Sequence, residues 1–258
     1  MPLHTLPPLQ KATVVNRPSK TIKSPYVADI RLEDGTLALC HSPGLGCSGL
    51  VSTGRTIYVS KAANTNAKTA YTAQVSVSED EEGSYYVGIH PMVSQMVASK
   101  LLDKIATDVT WRSEVAVNEH TRLDFVGTGP NGNKTYVEVK NAMITHSSTG
   151  MSARHKRRAV FPEGYRKSLT DTVSPRAVKH AETLAELVRR PDTEAAYLVF
   201  IVPRDDCNAG LELNALDPIY CKAVTRALLA GVKVRVFGLR FLMDGSIEFN
   251  KKLPLFIP

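Results

Sequence analysis

The segment 111–140 constrains the fold of this chain more than any other. It contains two short runs, LDFV (123–126) and YVEVK (136–140), in which charged residues stand between apolar ones. This pattern is typical of β-strands with one buried face, because successive side chains point to opposite sides. The stretch 127–133 between the runs contains three glycines, a proline and two asparagines, which favour a turn. The sequence therefore predicts an antiparallel hairpin.

The second run predicts a charged face. If the two valines of YVEVK are buried, Glu138 and Lys140 project from the solvent-facing side of the strand, about 7 Å apart. An isolated pair of this kind is most often a surface ion pair that contributes only about 0–1 kcal/mol. Here it is accompanied by two further acids, Asp124 in the first run and Glu114 in the apolar segment before it.

Asp124 is predicted to share that face. Leu123 and Phe125 flank it, so we expect both to be buried on one side while Asp124 points to the other, beside Glu138. Two carboxylates and an ammonium on one face suit a hard divalent cation, which prefers oxygen ligands and keeps several waters. The sequence therefore predicts a site for Mg²⁺ (or Mn²⁺).

These residue types also suit hydrolysis of a phosphodiester. Asp124 and Glu138 are the candidate direct metal ligands, and Glu114 is a candidate accessory ligand acting through water. Lys140 would hold the attacking water or stabilise charge on the phosphate. The predicted catalytic set is Asp124, Glu138, Lys140 and Glu114.

Composition bears on partner and location. The net charge of +7 and the pI near 9.2 favour a polyanionic partner. The four cysteines show no metal-binding spacing, so we expect them to be reduced.

We find no secretory signal, and the longest strongly apolar run, 195–202, is far short of the ~18–20 residues of a membrane helix. We expect a cytoplasmic protein without membrane contact. Nucleoid association is one option, and the oligomeric state is open, with a homodimer as one option.

The chain divides into two predicted domains, of α/β (α+β) class overall. Residues 1–88 contain short strands and Gly-rich turns, including an Asp34-Gly35 hairpin signal, and predict a small barrel. Residues 89–258 alternate helices and strands, which predicts a mixed sheet flanked by helices. The predicted helices are 91–108, one that opens at Ser174-Pro175, and 218–230, and the last long strand is 232–238.

Two groups of cations are candidate nucleic-acid contacts. The first lies along one arc of the helix after Ser174, away from its apolar stripe, and comprises Arg176, Lys179 and His180. The second supplies four cations in five residues and comprises Arg154, Lys156, Arg157 and Arg158. The second group could track phosphates, remain a solvated loop or serve as a localisation signal.

Several longer stretches resemble the SfsA family, the homologues of sugar fermentation stimulation protein A, over roughly residues 9–256. They are LQKATVVNRP, the Asp34-Gly35 hairpin, HSPGLG (41–46), RLDF with YVEVK, FPEG (161–164), SPRAVKHAETLAEL (174–187) and DPIYCKAVTRALLAGVKVRVF. Two motifs depart from the family pattern. H-x-P-N-T-G lacks its Asn-Thr pair here, and V-N-T is replaced by VGIH (87–90).

The resemblance implies an OB-type N-terminal barrel (1–88) that binds nucleic acid and a PD-(D/E)xK nuclease-like domain (89–258). It implies DNA binding without sequence specificity and a regulatory role. It also implies that Asp124, Glu138 and Lys140 form the nuclease-type core, with Glu114 as accessory acid. Arg176, Lys179 and His180 would face that core.

Our leading hypothesis is a DNA-binding protein with a metal-dependent nuclease-type site that hydrolyses phosphodiesters without sequence preference. RNA remains open as a substrate, as do strandedness and the polarity of cutting. The alternative is a non-catalytic DNA-binding transcriptional regulator of sugar (maltose-type) metabolism. A structural protein with fortuitous charge placement is the third hypothesis.

Overall fold

A computed structural model describes residues 1–44, 46–64, 66–81, 83–145, 157–164, 166, 168 and 170–258. The strands of the first half are β1 (His4–Thr5), β2 (Gln10–Asn16), β3 (Val27–Leu32), β4 (Leu37–His41), β5 (Thr56–Lys61), β6 (Tyr71–Asp80), β7 (Gly83–Gly88), β8 (Thr110–Asn118) and β9 (Thr121–Thr128). The strands of the second half are β10 (Lys134–Asn141), β11 (Ile144–Thr145), β12 (Arg158–Phe161), β13 (Thr193–Val202), β14 (Gly210–Leu213), β15 (Lys233–Phe241), β16 (Ser246–Lys252) and β17 (Leu255–Phe256).

The strands β2–β7 form the N-terminal barrel. Their order is β4-β3-β2-β5-β6-β7, and a parallel pairing of β4 with β6 closes the sheet on itself. The predicted hairpin at Asp34-Gly35 joins β3 to β4, and Gly35 has a φ of +87°, a conformation that glycine adopts without strain. The prediction of a small barrel is confirmed.

A seven-stranded mixed sheet forms the second part, with the order β1-β16-β15-β13-β10-β9-β8. The strands β10, β13 and β15 are parallel, and a smaller sheet has the order β11-β12-β14-β17. The prediction of a mixed sheet with flanking helices is confirmed. The prediction that 232–238 is the last long strand is wrong, because β16 follows it. The strand β1 pairs with β16, so His4 and Thr5 belong to this sheet and not to the barrel. The predicted domain boundary between residues 88 and 89 stays a prediction.

Three α-helices lie in the described part of the chain, α1 (Pro91–Ser99), α2 (Pro175–Leu187) and α3 (Pro218–Ala230). Each begins at a proline, whose missing N–H would have no partner in the first turn. Side chains cap two of them: Ser174 accepts from the Ala177 N–H at 3.2 Å, and Asp217 accepts from the Tyr220 N–H at 3.1 Å. Among the described residues, no helix has both the length and the hydropathy of a membrane span.

The first helix is shorter than predicted. It ends at Ser99 rather than at residue 108, and a 3-10 turn, Leu102–Lys104, follows it. Leu101 and Leu102 still pack into the core from this turn. The apolar spacing therefore continues beyond the point at which the α-helix ends.

The strand β13 is buried on both faces and separates two layers. Leu198 and Phe200 pack with residues of α2 and α3, whereas Val199 and Ile201 pack with residues of α1 and of the barrel. A parallel strand that is covered on both sides is expected to be almost uniformly apolar, as β13 is. The neighbouring strand β10 consequently points alternate side chains towards α2 and towards α1.

Gly88 lies where the barrel meets the seven-stranded sheet, and its replacement should be costly. Its N–H donates to the Pro203 carbonyl at 2.8 Å, and a Cβ would lie 2.2 Å from Cζ of the buried Phe241 ring. We expect Gly88→Ala to lower the free energy of unfolding by about 1–3 kcal/mol, as overpacking does. Denaturant titration measures the change. In the control Gly129→Ala the new Cβ makes only an ordinary 3.7 Å contact, so a loss equal to that of Gly88→Ala would contradict the explanation.

Candidate functional site

The predicted hairpin is confirmed, and its strands separate at the acidic residues. The antiparallel ladder of β9 with β10 runs to the pair of Phe125 with Val137, one step short of Asp124 and Glu138. The carboxylate of Asp124 instead accepts the backbone N–H of Val139 at 2.6 Å. The side chain of Asp124 thus takes the place of the next rung between the two strands.

The orientation predicted for the flanking residues is wrong. Leu123 packs into the core beside α2, whereas Phe125 packs into the core beside α1. A regular strand would place both on one face. The strand therefore changes face at Asp124, and this change accompanies the separation from β10.

Glu138 does not face solvent, contrary to the sequence prediction. The residue is only 3% exposed, on the α2 side of the sheet. Its Oε1 atom accepts from Nζ of Lys140 at 2.5 Å and also forms a hydrogen bond with Nδ1 of His180. Burial alone would raise the pKa of Glu138, but the His180 hydrogen bond and the Lys140 charge outweigh it, so that the pKa lies below its usual value. The surface ion-pair interpretation is therefore excluded.

His180 is buried within α2, so the prediction that it shares an arc with Arg176 and Lys179, away from the buried stripe of the helix, is wrong for this residue. Nε of Arg176 lies 3.4 Å from its Nε2 atom, and Nζ of Lys140 lies 3.1 Å from its Nδ1 atom. The contacts with Glu138 and Arg176 fit the tautomer in which Nδ1–H donates to Glu138 and Nε2 accepts from Arg176, while Lys140 donates to the same Glu138 oxygen. His180 therefore fixes the orientation of Glu138. Arg176 and Lys179 are exposed, and Lys179 donates to the His120 carbonyl at 3.0 Å.

Gln95, on α1, joins the two remaining acids. Its Nε2 atom donates to Glu114 at 2.5 Å and to Asp124 at 3.1 Å. Sequence reasoning missed this residue, because a single glutamine on a short helix carries no signal of its own.

Glu114 lies in β8 with a φ of +52°, which costs roughly 1–2 kcal/mol for a residue with a Cβ. Such strain concentrates at functional sites.

The pKa of Asp124 is strongly raised. Burial, then the charge of Glu138 and more weakly that of Glu114, raise the pKa of Asp124 to about 7, against the opposing effects of the Val139 N–H and Lys140. The site therefore holds three acids with too little positive charge to stabilise all of them as anions. This imbalance is typical of functional sites.

The donor set fits a hard divalent cation. Among the described residues, no three acidic, histidine or cysteine side chains are already arranged as a metal-binding group. Asp124 accepts from the Val139 N–H, and Glu138 accepts from Lys140. Mg²⁺, however, needs only one or two carboxylates, together with water and substrate phosphate. Asp124, Glu138 and Glu114 supply oxygen ligands and an uncompensated negative charge, which such a cation would neutralise.

The structure describes two of the four cations in the basic segment 154–158. Arg154 and Lys156 lie outside the described residues. Nη1 of Arg157 donates to Asp206 at 2.5 Å, and its Nη2 forms an ion pair with Asp80 on β6. Arg158 donates to Glu212 at 3.1 Å and lies over the Phe256 ring. The interpretation as a solvated loop is therefore wrong for these two arginines, and their role in binding nucleic acid stays a prediction.

Arg157 should contribute to stability. It links Asp80 of the barrel to Asp206, whose side chain is fully buried, so its removal leaves carboxylates with fewer partners. We expect Arg157→Ala to lower the free energy of unfolding by about 2 kcal/mol. Arg158→Ala is the matched control, because its ion pair is more exposed and should contribute about 1 kcal/mol or less. Equal losses in thermal or denaturant unfolding would contradict this assignment.

A family model described as the sugar fermentation stimulation protein RE domain matches residues 89–245. The chain belongs to the SfsA family. A sugar fermentation stimulation protein homologue from Cyanothece sp. is 31% identical over 238 residues, covering 90% of this chain and 89% of the relative. One from Geobacter sulfurreducens is 26% identical over 254 residues, covering 96% of each. The structure of Pyrococcus furiosus SfsA in complex with Ca²⁺ shares the SfsA fold with this chain over the full length of both, with a TM-score of 0.77 and 23% identity.

Proposed function

We propose that this SfsA-family chain is a DNA-binding nuclease that hydrolyses phosphodiester bonds with the help of a divalent metal and without sequence preference. The observation that carries the proposal is the convergence of Asp124, Glu138 and Lys140 where β9 and β10 separate. Asp124, whose pKa is raised to about 7, adds an acid that is poorly compensated within the protein.

Asp124 and Glu138 would hold the metal, with Glu114 acting through water. Glu138 would present Oε2, since its other oxygen is engaged by Lys140 and His180. A bound Mg²⁺ or Mn²⁺ would supply a more acidic water and polarise the phosphate. The Pyrococcus furiosus relative was solved with Ca²⁺, and we extend divalent-cation binding to this chain as part of the proposal.

The remaining groups would orient the acids and the substrate. His180 holds one oxygen of Glu138 and favours its ionised form. Lys140 places an ammonium next to that oxygen and is partly exposed, with 12% of its side chain accessible, so it can turn to an incoming phosphate. A fixed cation near the phosphate stabilises the charge that develops during attack.

Exposed cations near the acids would hold the DNA backbone. Arg176 and Lys179 lie on the helix that carries His180, and Arg122 lies on β9 two positions before Asp124. With a net charge of +7, the chain favours a polyanion as partner. Contacts to phosphates fix position but carry no sequence information, which is why we propose cleavage without sequence preference.

A cleavage assay tests the proposal. Labelled single- and double-stranded DNA, with RNA as a further arm, is incubated with Mg²⁺, Mn²⁺ or EDTA and either the wild type, Asp124→Asn or Glu138→Gln. We expect metal-dependent cleavage by the wild type and none by the two variants. DNA affinity should be unchanged or higher, since each substitution removes a negative charge. Asp103→Asn, at an exposed acid of the 3-10 turn, is the control and should cut normally.

Two outcomes would contradict the proposal. If the wild type binds DNA but cuts nothing with either metal, a non-catalytic regulator becomes the better description. If the variants lose cleavage only in proportion to lost folding, measured by circular dichroism, the acids are structural.

A further inference from the structure

Tyr220 is a buried polar group that the proposed mechanism does not use. The residue is completely buried in α3, and among the described residues its hydroxyl has no hydrogen-bond partner. Buried hydroxyls in native proteins nearly always have a partner, either protein or ordered water. The side chain also has little freedom, because Asp217 caps its N–H at 3.1 Å and Phe161 packs edge-on at a centroid distance of 5.3 Å.

Glu138 contains the complementary group. Its Oε1 atom is engaged twice, whereas its Oε2 atom is buried and lacks a hydrogen-bond partner in the described part of the chain. Both groups belong to the layer on the α2 and α3 side of the sheet. Glu138 pairs in register with Leu198 of β13, and Tyr220 packs on Phe161, whose ring packs edge-on against Phe200 on the same face of β13. The charge of Glu138 also contributes, after burial, to the raised pKa of Tyr220. One group is a donor and the other an acceptor.

We propose that Tyr220 is a positioning residue for Glu138, whose Oε2 atom it holds through one buried water molecule. Since no direct hydrogen bond joins the two groups, a bridging water is the simplest way to satisfy both. A carboxylate oxygen has two lone pairs, so Oε2 can accept this bond and still face a cation. With Lys140 and His180 on one oxygen and Tyr220 on the other, the carboxylate cannot rotate.

The consequence for metal binding rests on the proposed function. Partners that orient a metal ligand typically change metal affinity or activity by about 10–100-fold when they are removed. We therefore expect Tyr220→Phe to bind Mn²⁺ about 10-fold more weakly than the wild type in calorimetry. Tyr197→Phe is the matched control: its hydroxyl donates to the Ile105 carbonyl at 3.3 Å on the α1 side of the sheet, and its loss should leave Mn²⁺ affinity unchanged.

Thermal unfolding without metal tests the link itself. Tyr220→Phe should lower Tm by about 2–4 °C, because Oε2 loses a partner, but should have no further effect in a Glu138→Ala background. If Glu138→Ala does not fold, Glu138→Met, which fills more of the space, replaces it. An equally or more stable Tyr220→Phe, or a loss that is the same in both backgrounds, overturns the proposal.

The two proposals fail in different ways. A wild type that binds no Mn²⁺ contradicts the proposed function, whereas the Tm comparison still decides whether Tyr220 holds Glu138. If the wild type binds Mn²⁺ and Tyr220→Phe binds it equally well, the positioning role is wrong while the proposed function stands.

Discussion

At neutral pH, Asp124→Asn should be more stable than the wild-type protein by about 2–4 kcal/mol in the free energy of unfolding. Burial and the charges of Glu138 and Glu114 raise the pKa of Asp124 from 3.8 to about 7. A shift of that size corresponds to about 4 kcal/mol, at 1.36 kcal/mol per unit. The asparagine oxygen can still accept the Val139 N–H. Its NH2 group takes the place of the oxygen that accepts from Gln95, so the substitution removes the charge and one of the two hydrogen bonds.

The effect should depend on pH in a defined direction. Below about pH 4 the carboxyl is protonated in both the folded and the unfolded chain, so the variant and the wild type should have similar stabilities. Between pH 4 and 7 the unfolded chain releases this proton while the folded chain retains it, so the wild type loses stability relative to the variant. Above about pH 7 the difference should be constant.

Denaturant titrations at four or five pH values measure this difference, with Asp103→Asn as the control for removing an exposed acid. If the difference in the free energy of unfolding between Asp124→Asn and the wild type does not change with pH, the pKa of Asp124 is not raised in the folded protein. Addition of Mn²⁺ should stabilise the wild type but not the variant, since a ligand stabilises only the state that binds it.

Lys140→Ala should lower the rate of the proposed cleavage by about 10²–10³, as loss of one fixed charge-stabilising group does. The ammonium has no lone pair and cannot bind a metal, so Mn²⁺ affinity should stay the same or rise slightly. His180 still engages Glu138 in this variant, so the orientation of the carboxylate should survive.

Single-turnover cleavage and calorimetry with Mn²⁺ separate these effects. Lys134→Ala is the matched control, because Lys134 lies on the same strand and donates to Thr128 at 2.9 Å, at the opposite end from the acids. A Lys140→Ala protein that cuts at the wild-type rate would remove this residue from the mechanism. Lost metal binding would instead show that Lys140 organises the acids.

Local signals predicted much of the fold. The Asp34-Gly35 pair specified a hairpin because its turn needs a residue with positive φ, and Ser174-Pro175 specified a helix start through a cap and a fixed φ. The strand β16 was missed, although Asp244-Gly245 before it carries the same hairpin signal and Ile247 and Phe249 alternate with polar residues.

The site was harder to predict, because its geometry depends on contacts across the sheet. Alternation placed Glu138 and Lys140 on one face, but burial of Glu138 follows from His180, which lies 42 positions away in the sequence. The change of face at Asp124 depends on where β9 separates from β10. Gln95 could not be found from a pattern, since its partners are on two different strands.

The pairing of β1 with β16 sets an order of events during synthesis. His4 and Thr5 leave the ribosome long before Ile247 and Ser246, the residues with which they pair. At about 5–20 residues per second, the two segments are separated by roughly 10–50 s. The barrel strands, by contrast, are complete once residue 88 has emerged. We therefore expect the barrel to form while the first segment is still unpaired, and the seven-stranded sheet to be completed only after its final hairpin has emerged.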